Sequence, residues 1–465
     1  MFINRSRELE DLATRWQAGR PELVVLYGRR RVGKTALLRE FSASRPHAFF
    51  LAARTRDEDA LRQMTAVLHE ASGDEFLATQ PFTSWEAVLT WLGRLWSRQR
   101  FLVVLDEFPN LCLANPALPS ILQVWWDRHA AEVRPFLALC GSQVGFMEDS
   151  VLAERAPLFG RRSGQMRLGP LTADAAGRFF PGADVRGRLL AYAVAGGIPA
   201  YLERLAWGED FERALLREAF QPEGFLFDEV TFLLKMELQE PATYLSLLLA
   251  VASGATRQTE IADRARLPVT AVNRYLQTLV RLGFVERRVP LLEPAPEHSR
   301  KGLYFLADPF TRFWCRFVLP YKGLITDRQG EAIFRRRVQP QLDAFVGPIF
   351  EDICHGYVRR RWLDRTGRLP VRLGRQWSAG LELDLLAELD DGSFLAGECK
   401  SGHDPVGPAV LRALADKVAT LPTGVRERSG LAVFSASGFT AEAVQEGEKA
   451  GVELVDGGEV LEMEG

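Results

Sequence analysis

The chain has 465 residues, of which 47% are hydrophobic and 25% charged, and its formal net charge is −2. That length suggests roughly three domains, and the composition is ordinary for a soluble globular protein with a sizeable core. The near-neutral charge excludes a globally basic nucleic-acid binder and leaves only local basic patches open. Five cysteines, at 112, 140, 315, 354 and 399, form no CxxC pair. A disulfide framework or zinc ribbon is therefore not expected, and a reducing cytoplasm fits. The opening "MFINRSRELEDL" has no signal-like apolar core, and no apolar run approaches the roughly 20 residues that cross a bilayer. The protein reads as cytosolic, with no membrane partner.

In chain order, "ELVVLYG" reads as a strand and "KTALLREFSAS" opens a helix. "HAFFLAA" is another strand, "WEAVLTWLGRLW" is helical, and "FLVVLDEF" and "RPFLALCGS" are further strands. Apolar strands alternating with helices predict a parallel sheet covered on both faces. Between the first strand and its helix stands Gly28, then four residues, then Gly33, Lys34 and Thr35. This GxxxxGK[ST] spacing lets the backbone turn its N–H groups toward phosphate oxygens at a helix N-terminus. The expected phosphate-binding residues are Gly28, Arg29, Arg30, Arg31, Val32, Gly33, Lys34, Thr35 and Ala36. Lys34 is expected to reach the β- and γ-phosphates of ATP, and Thr35 to hold Mg2+.

"FLVVLDEF" ends in Asp106, a candidate for the Mg2+ shell, and Glu107, a candidate to polarise the attacking water. "LCGSQ" brings Ser142 and Gln143, which either sense the γ-phosphate and position water or form an ordinary turn. In "PLFGRRSGQMRLGPL", Arg161 or Arg162 is either an arginine finger or part of a surface basic pair. A finger acting in trans would require a homo-oligomer.

The series "FINRSRELEDL", the phosphate loop, "VVLDEF", "CGSQVGFME", "PLFGRRSG" and "AGGIPAYL" spans about the first half of the chain. It resembles the archaeal-type ATPases, a P-loop group near the AAA+ and signal-transduction ATPases. That resemblance implies that Phe2, Ile3 and Arg5 lie near the adenine. It also implies that "GGIP", Gly196 to Pro199, marks a helical lid, with ATP between sheet and lid. On the residues alone, Phe2 and Ile3 are equally core packing, and "GGIP" a helix-ending turn.

From Pro241 the pattern becomes three helices and a strand pair, "FVERRV" and "GLYFLAD", joined by the Pro-rich "VPLLEPAPEHSRKG". This resembles a winged helix whose third helix would present Thr270, Asn273 and Arg274 to a DNA major groove. A packing or protein-contact role is the other reading.

In the last third, "LDAFVGPIFEDICHGYVRRR" is an amphipathic helix carrying Glu351. "LELDLLAELDDGSFLAGECKSG" is a hairpin with Asp384 on one strand and Glu398 and Lys400 on the next. Asp384 and Glu398, completed by Glu351, are expected to bind Mg2+, with Lys400 stabilising the transition state of phosphodiester hydrolysis. Lys417, on the following helix, either touches a phosphate or a ligand or sits on a solvated helix face, the second being the expectation. The layout resembles the PD-(D/E)xK nuclease fold, without the proline before Asp384.

The expected class is α/β: a P-loop NTPase parallel sheet with helical lid, then a winged helix, then a mixed α/β nuclease-like domain. The expected segments are a P-loop core (1–170), a lid (171–240), a winged helix (241–334) and the nuclease-like domain (335–465). Lys34, Glu107, Arg161, Arg162, Asp384, Glu398 and Lys400 are the catalytic candidates. The expected function is a cytosolic ATPase whose nucleotide state controls a DNA-directed module. The alternative is a switch or scaffold whose nuclease-like domain binds a protein partner.

Overall fold

Uninterrupted apolar runs build the first sheet. Strands β1 (Glu22–Tyr27), β2 (His47–Leu51), β3 (Leu102–Asp106), β4 (Phe136–Gly141) and β5 (Gly164–Arg167) are all parallel, in the order β2-β3-β4-β1-β5. β1, β3 and β4 are buried along their whole length, as strands covered on both faces must be. Helix α1 (Ser6–Gln17) leads into β1, and α2 (Lys34–Ser42) follows it. Glu22, fully buried at the start of β1, is hydrogen-bonded by Arg15, Arg20 and Ser163. These partners tie α1 and the approach to β5 onto the strand. The computed structural model describes residues 2–206 and 210–461. It divides into two compact units, residues 1–170 and 171–465.

The second unit begins with helices. At Gly196–Gly197 the chain turns sharply between the helices Val185–Ala195 and Pro199–Ala206. A Cβ on Gly197 would lie 1.9 Å from the Leu171 carbonyl oxygen, so only glycine fits. Helices α3 (Pro241–Ala252), α4 (Gln258–Ala265) and α5 (Val269–Arg281) come next, followed by the antiparallel pair β6 (Val285–Arg288) and β7 (Leu303–Leu306). This is the winged helix-turn-helix arrangement. α5 starts after Pro268 and buries Val272, Tyr275, Leu276 and Leu279, a 3–4 spacing that packs one stripe inward.

The β6–β7 connection does not extend as a free wing. Leu291 is 7% exposed, within the core of the C-terminal sheet. Its N–H donates to the Arg375 carbonyl at 3.0 Å, and the Leu292 N–H donates to Gln376 Oε1 at 3.0 Å.

That sheet has five strands in the order β12-β11-β10-β9-β8. They are β8 (Pro370–Ser378), β9 (Leu381–Leu389), β10 (Phe394–Lys400), β11 (Ser429–Ser435) and β12 (Val452–Asp456). β8–β9–β10 are antiparallel, and β10–β11–β12 are parallel. The 25-residue helix α6 (Leu342–Thr366) precedes β8, and α7 (Pro408–Ala419) joins β10 to β11. Leu383, Leu386, Ala396, Leu411, Leu414 and Val433 form the core between sheet and α7.

Candidate functional site

The carboxyl ends of β1, β3 and β4 place one set of polar residues together, which is where open parallel sheets bind ligands. β1 stops at Tyr27, and Gly28 follows with φ of 152°. A Cβ there would lie 2.2 Å from the Leu168 carbonyl oxygen, so glycine lets the loop leave the sheet beside β5. The loop curls back into α2, whose first residue is Lys34. Lys34 is buried, and its Nζ donates to the carbonyls of Gly28 and Arg29, each at 2.9 Å. Burial lowers the pKa of this ammonium, while nearby Glu107 and Asp106 oppose the shift. A buried cation held by neutral carbonyls at a helix N-terminus is a site for polyanionic phosphate.

Thr35 Oγ1 donates to Asp106 Oδ2 at 2.6 Å, and the second Asp106 oxygen accepts the Glu107 N–H at 2.9 Å. Glu107 has φ of 55°, an uncommon conformation for a side chain of its size. Its Oε1 accepts the Ser142 hydroxyl at 2.7 Å and lies 3.9 Å from Arg30 Nη1. Glu107 Oε2 and Arg30 Nε are buried without a hydrogen-bond partner among the described residues. The residues present therefore fit ATP with magnesium: a cradle and buried lysine for phosphates, adjacent hard oxygens on Thr35 and Asp106, and an unspent carboxylate oxygen on Glu107.

In the C-terminal sheet, Asp384 Oδ2 accepts the Cys399 N–H at 2.9 Å. Lys400 Nζ donates to Glu398 Oε1 at 2.7 Å, and Lys417 Nζ to Glu398 Oε2 at 2.8 Å. Burial raises the Glu398 carboxyl, but the two lysines outweigh it and hold the group below its ordinary range. Asp384 is raised, by burial first, against the Cys399 N–H. Glu351 pairs with Arg375 at 2.6 Å, yet burial pushes it up to about 7. His355 Nε2 donates to the Asp384 carbonyl at 2.7 Å, and burial pushes the imidazole down to about 4.

The expected carboxylates are engaged by cations in this geometry. Among the described residues no group of three or more His, Cys, Asp or Glu side chains is placed to hold an ion. The reason is charge: both Glu398 oxygens are taken by ammonium groups and Glu351 by a guanidinium. Lys417, partly exposed on α7, closes this clamp.

Comparison with known proteins matches residues 2–205 to an ATPase domain predominantly from Archaea. Residues 245–289 match an IclR helix-turn-helix domain. Residues 314–404 match archaeal and bacterial proteins of unknown function. An uncharacterized protein of Methanocaldococcus jannaschii is 31% identical over 395 residues, covering 84% of this chain and 85% of that one. The chain belongs to the archaeal-type ATPase family. An uncharacterized ATP-binding protein of the same organism is 54% identical over 41 residues, 9% of this chain and 70% of its own. A Walker-type ATPase of Pyrococcus abyssi is similar in fold, with a TM-score of 0.52 at 21% identity, covering 68% of this chain and 96% of that one.

The remaining candidate residues of this archaeal-type ATPase have the following surroundings. Phe2 and Ile3 are half-buried. Arg5 donates to the carbonyls of Val32 at 3.1 Å and Gly169 at 2.6 Å, so its guanidinium braces the loop from behind. Gln143 opens the helical turn Val144–Phe146. Arg161 forms a two-pronged pair with Asp127 at 3.0 and 2.8 Å. Arg162 donates to the Leu152 carbonyl at 3.0 Å and lies over the Phe159 ring at 5.1 Å. On α5, Thr270, Asn273 and Arg274 are exposed. No helix among the described residues is long and apolar enough to cross a membrane.

Proposed function

We propose that this ATPase couples ATP turnover to DNA held by the helix-turn-helix of its second unit. The observation carrying this reading is the α5 face: Thr270, Asn273 and Arg274 stand exposed on one helix while its other side is packed. Such a face suits base edges in a major groove. At the nucleotide site, Lys34 and the loop N–H groups would hold the β- and γ-phosphates. Thr35 and Asp106 would hold the magnesium ion that neutralises their charge. Glu107, oriented by the Ser142 hydroxyl, would accept a proton from the attacking water. Arg161 or Arg162 acting in trans would make a homo-oligomer the active species, in the cytoplasm.

The deciding experiment measures duplex DNA affinity with ATP and with ADP across a salt series. Nucleotide-dependent, salt-sensitive binding supports coupling. Equal affinity in both states, or none, defeats it.

The C-terminal sheet admits two readings. In one it is nuclease-like, and Asp384, Glu398 and Lys400 cut DNA once the lysines release Glu398. In the other it binds a protein partner, which the lysine clamp favours, because both Glu398 oxygens are occupied. Nicking by wild-type protein with Mg2+ or Mn2+, lost in Asp384→Ala while ATPase activity persists, selects the first reading. No cleavage of DNA or RNA with either metal selects the second.

A further inference from the structure

We propose that a groove beside the helix-turn-helix, walled by β6, β7, α6 and β8, binds the sugar–phosphate backbone of single-stranded nucleic acid. Two hollows of about 440 and 230 Å3 lie on either side of Arg288 and Arg375, which line both. Their walls carry Arg287, Arg288, Arg312, Arg316, Arg359 and Arg375, against Glu286 and Asp352 as the acids. Internal pairing consumes part of that charge. Arg288 reaches Asp352 at 2.7 Å, Arg312 reaches it at 3.5 Å, and Arg375 is divided between Glu351 at 2.6 Å and Asp352 at 3.4 Å. Arg288 also pairs with Glu286, so three guanidinium groups meet three carboxylates, and the surplus positive charge of the groove rests on Arg287, Arg316 and Arg359.

Arg375 Nε is buried without a hydrogen-bond partner among the described residues, a donor with capacity for an acceptor. Arg316 and Arg359 stand exposed, at the margins of the two hollows. Phe305 lines the smaller hollow, with the Arg288 guanidinium 5.0 Å from its ring centre. Arginines interleaved with an aromatic ring form the pattern that tracks a strand's phosphates and stacks its bases. The larger hollow has the volume of one or two nucleotides, which suits a single strand threaded past the arginines. Arg375 also places the groove against Glu351, so a bound strand would lead toward Asp384 and Glu398. The proposal deepens the nucleic-acid reading above and rests on it.

The test uses the full chain and fluorescence anisotropy with a labelled 12-nucleotide oligothymidylate. Arg316→Ala and Arg359→Ala are combined in one variant, both exposed and cheap to replace. Affinity should fall about tenfold, and the salt slope should flatten by about 0.7 for each lost phosphate contact. Unchanged affinity and slope in a variant with wild-type melting temperature overturn the groove while leaving the nucleic-acid reading intact. Wild-type protein that binds neither oligothymidylate nor duplex DNA overturns both. A separate Asn273→Ala/Arg274→Ala variant should lose duplex affinity and keep oligothymidylate affinity; equal loss of the two would place the single strand on α5 and overturn the groove. Competition by AMP or inorganic phosphate as effective as that by unlabelled oligothymidylate would reassign the hollow to a small anion and overturn it too.

Discussion

Lys34 is the residue on which nucleotide chemistry should depend most. Its ammonium is buried and donates to the carbonyls of Gly28 and Arg29 at the start of α2. Lys34→Ala is expected to abolish ATP turnover, read as phosphate release. Normal hydrolysis by that variant would remove the site. Glu107→Gln should keep ATP affinity and lower kcat by roughly 10²-fold or more, the usual worth of a general base. His355 gives a pH signature. Its imidazole is held down to about 4 by burial, against about 6.5 when unfolded. The folded state therefore prefers the neutral ring. Its contribution is complete above pH 6.5 and is lost as pH falls toward 4, at most about 3 kcal/mol. Melting temperatures over that window should drop in wild type and drop less in His355→Gln. That Lys34, Thr35, Asp106 and Glu107 come together was legible because short local spacings carry it. The Lys417 partnership with Glu398 and the Arg5 brace on Val32 were not, since they join residues 19 and 27 positions apart through the fold.

At the scale of elements, the parallel sheet was readable because each strand carries its own burial pattern. β5 was not: Gly-Gln-Met-Arg has neither an apolar run nor a clean alternation, and β1 and the Arg15–Ser163 contacts hold it in place. The β6–β7 connection was recognisable as Pro-rich, yet nothing in its composition tells that Leu291 enters the neighbouring core. Leu291→Ala should destabilise the second unit by about 2–4 kcal/mol, the range for a buried leucine. Thermal or denaturant unfolding measures this. A change within 0.5 kcal/mol would show that the docked loop contributes little. The carboxylates of the expected cluster carry cationic partners that the hairpin alone does not show. Sequence parity puts Glu398 and Lys400 on one face but does not reveal that Lys417 arrives from α7.

At the scale of the molecule, an ATPase core and a helix-turn-helix share one chain, and their two activities should be separable. Lys34→Ala should leave duplex affinity in the absence of nucleotide unchanged. Asn273→Ala/Arg274→Ala should lower duplex affinity roughly tenfold or more while basal phosphate release persists. Loss of both activities in either variant would mean that the two units cannot be treated separately. The docked β6–β7 loop has one further consequence. β8 is the terminal strand of its sheet, and a bare terminal strand presents unpaired N–H and C=O groups to any passing chain. Leu291 and Leu292 occupy part of that margin. The loop therefore doubles as a guard against self-association, and a fragment beginning at residue 335 should form oligomers through β8 that the full chain avoids.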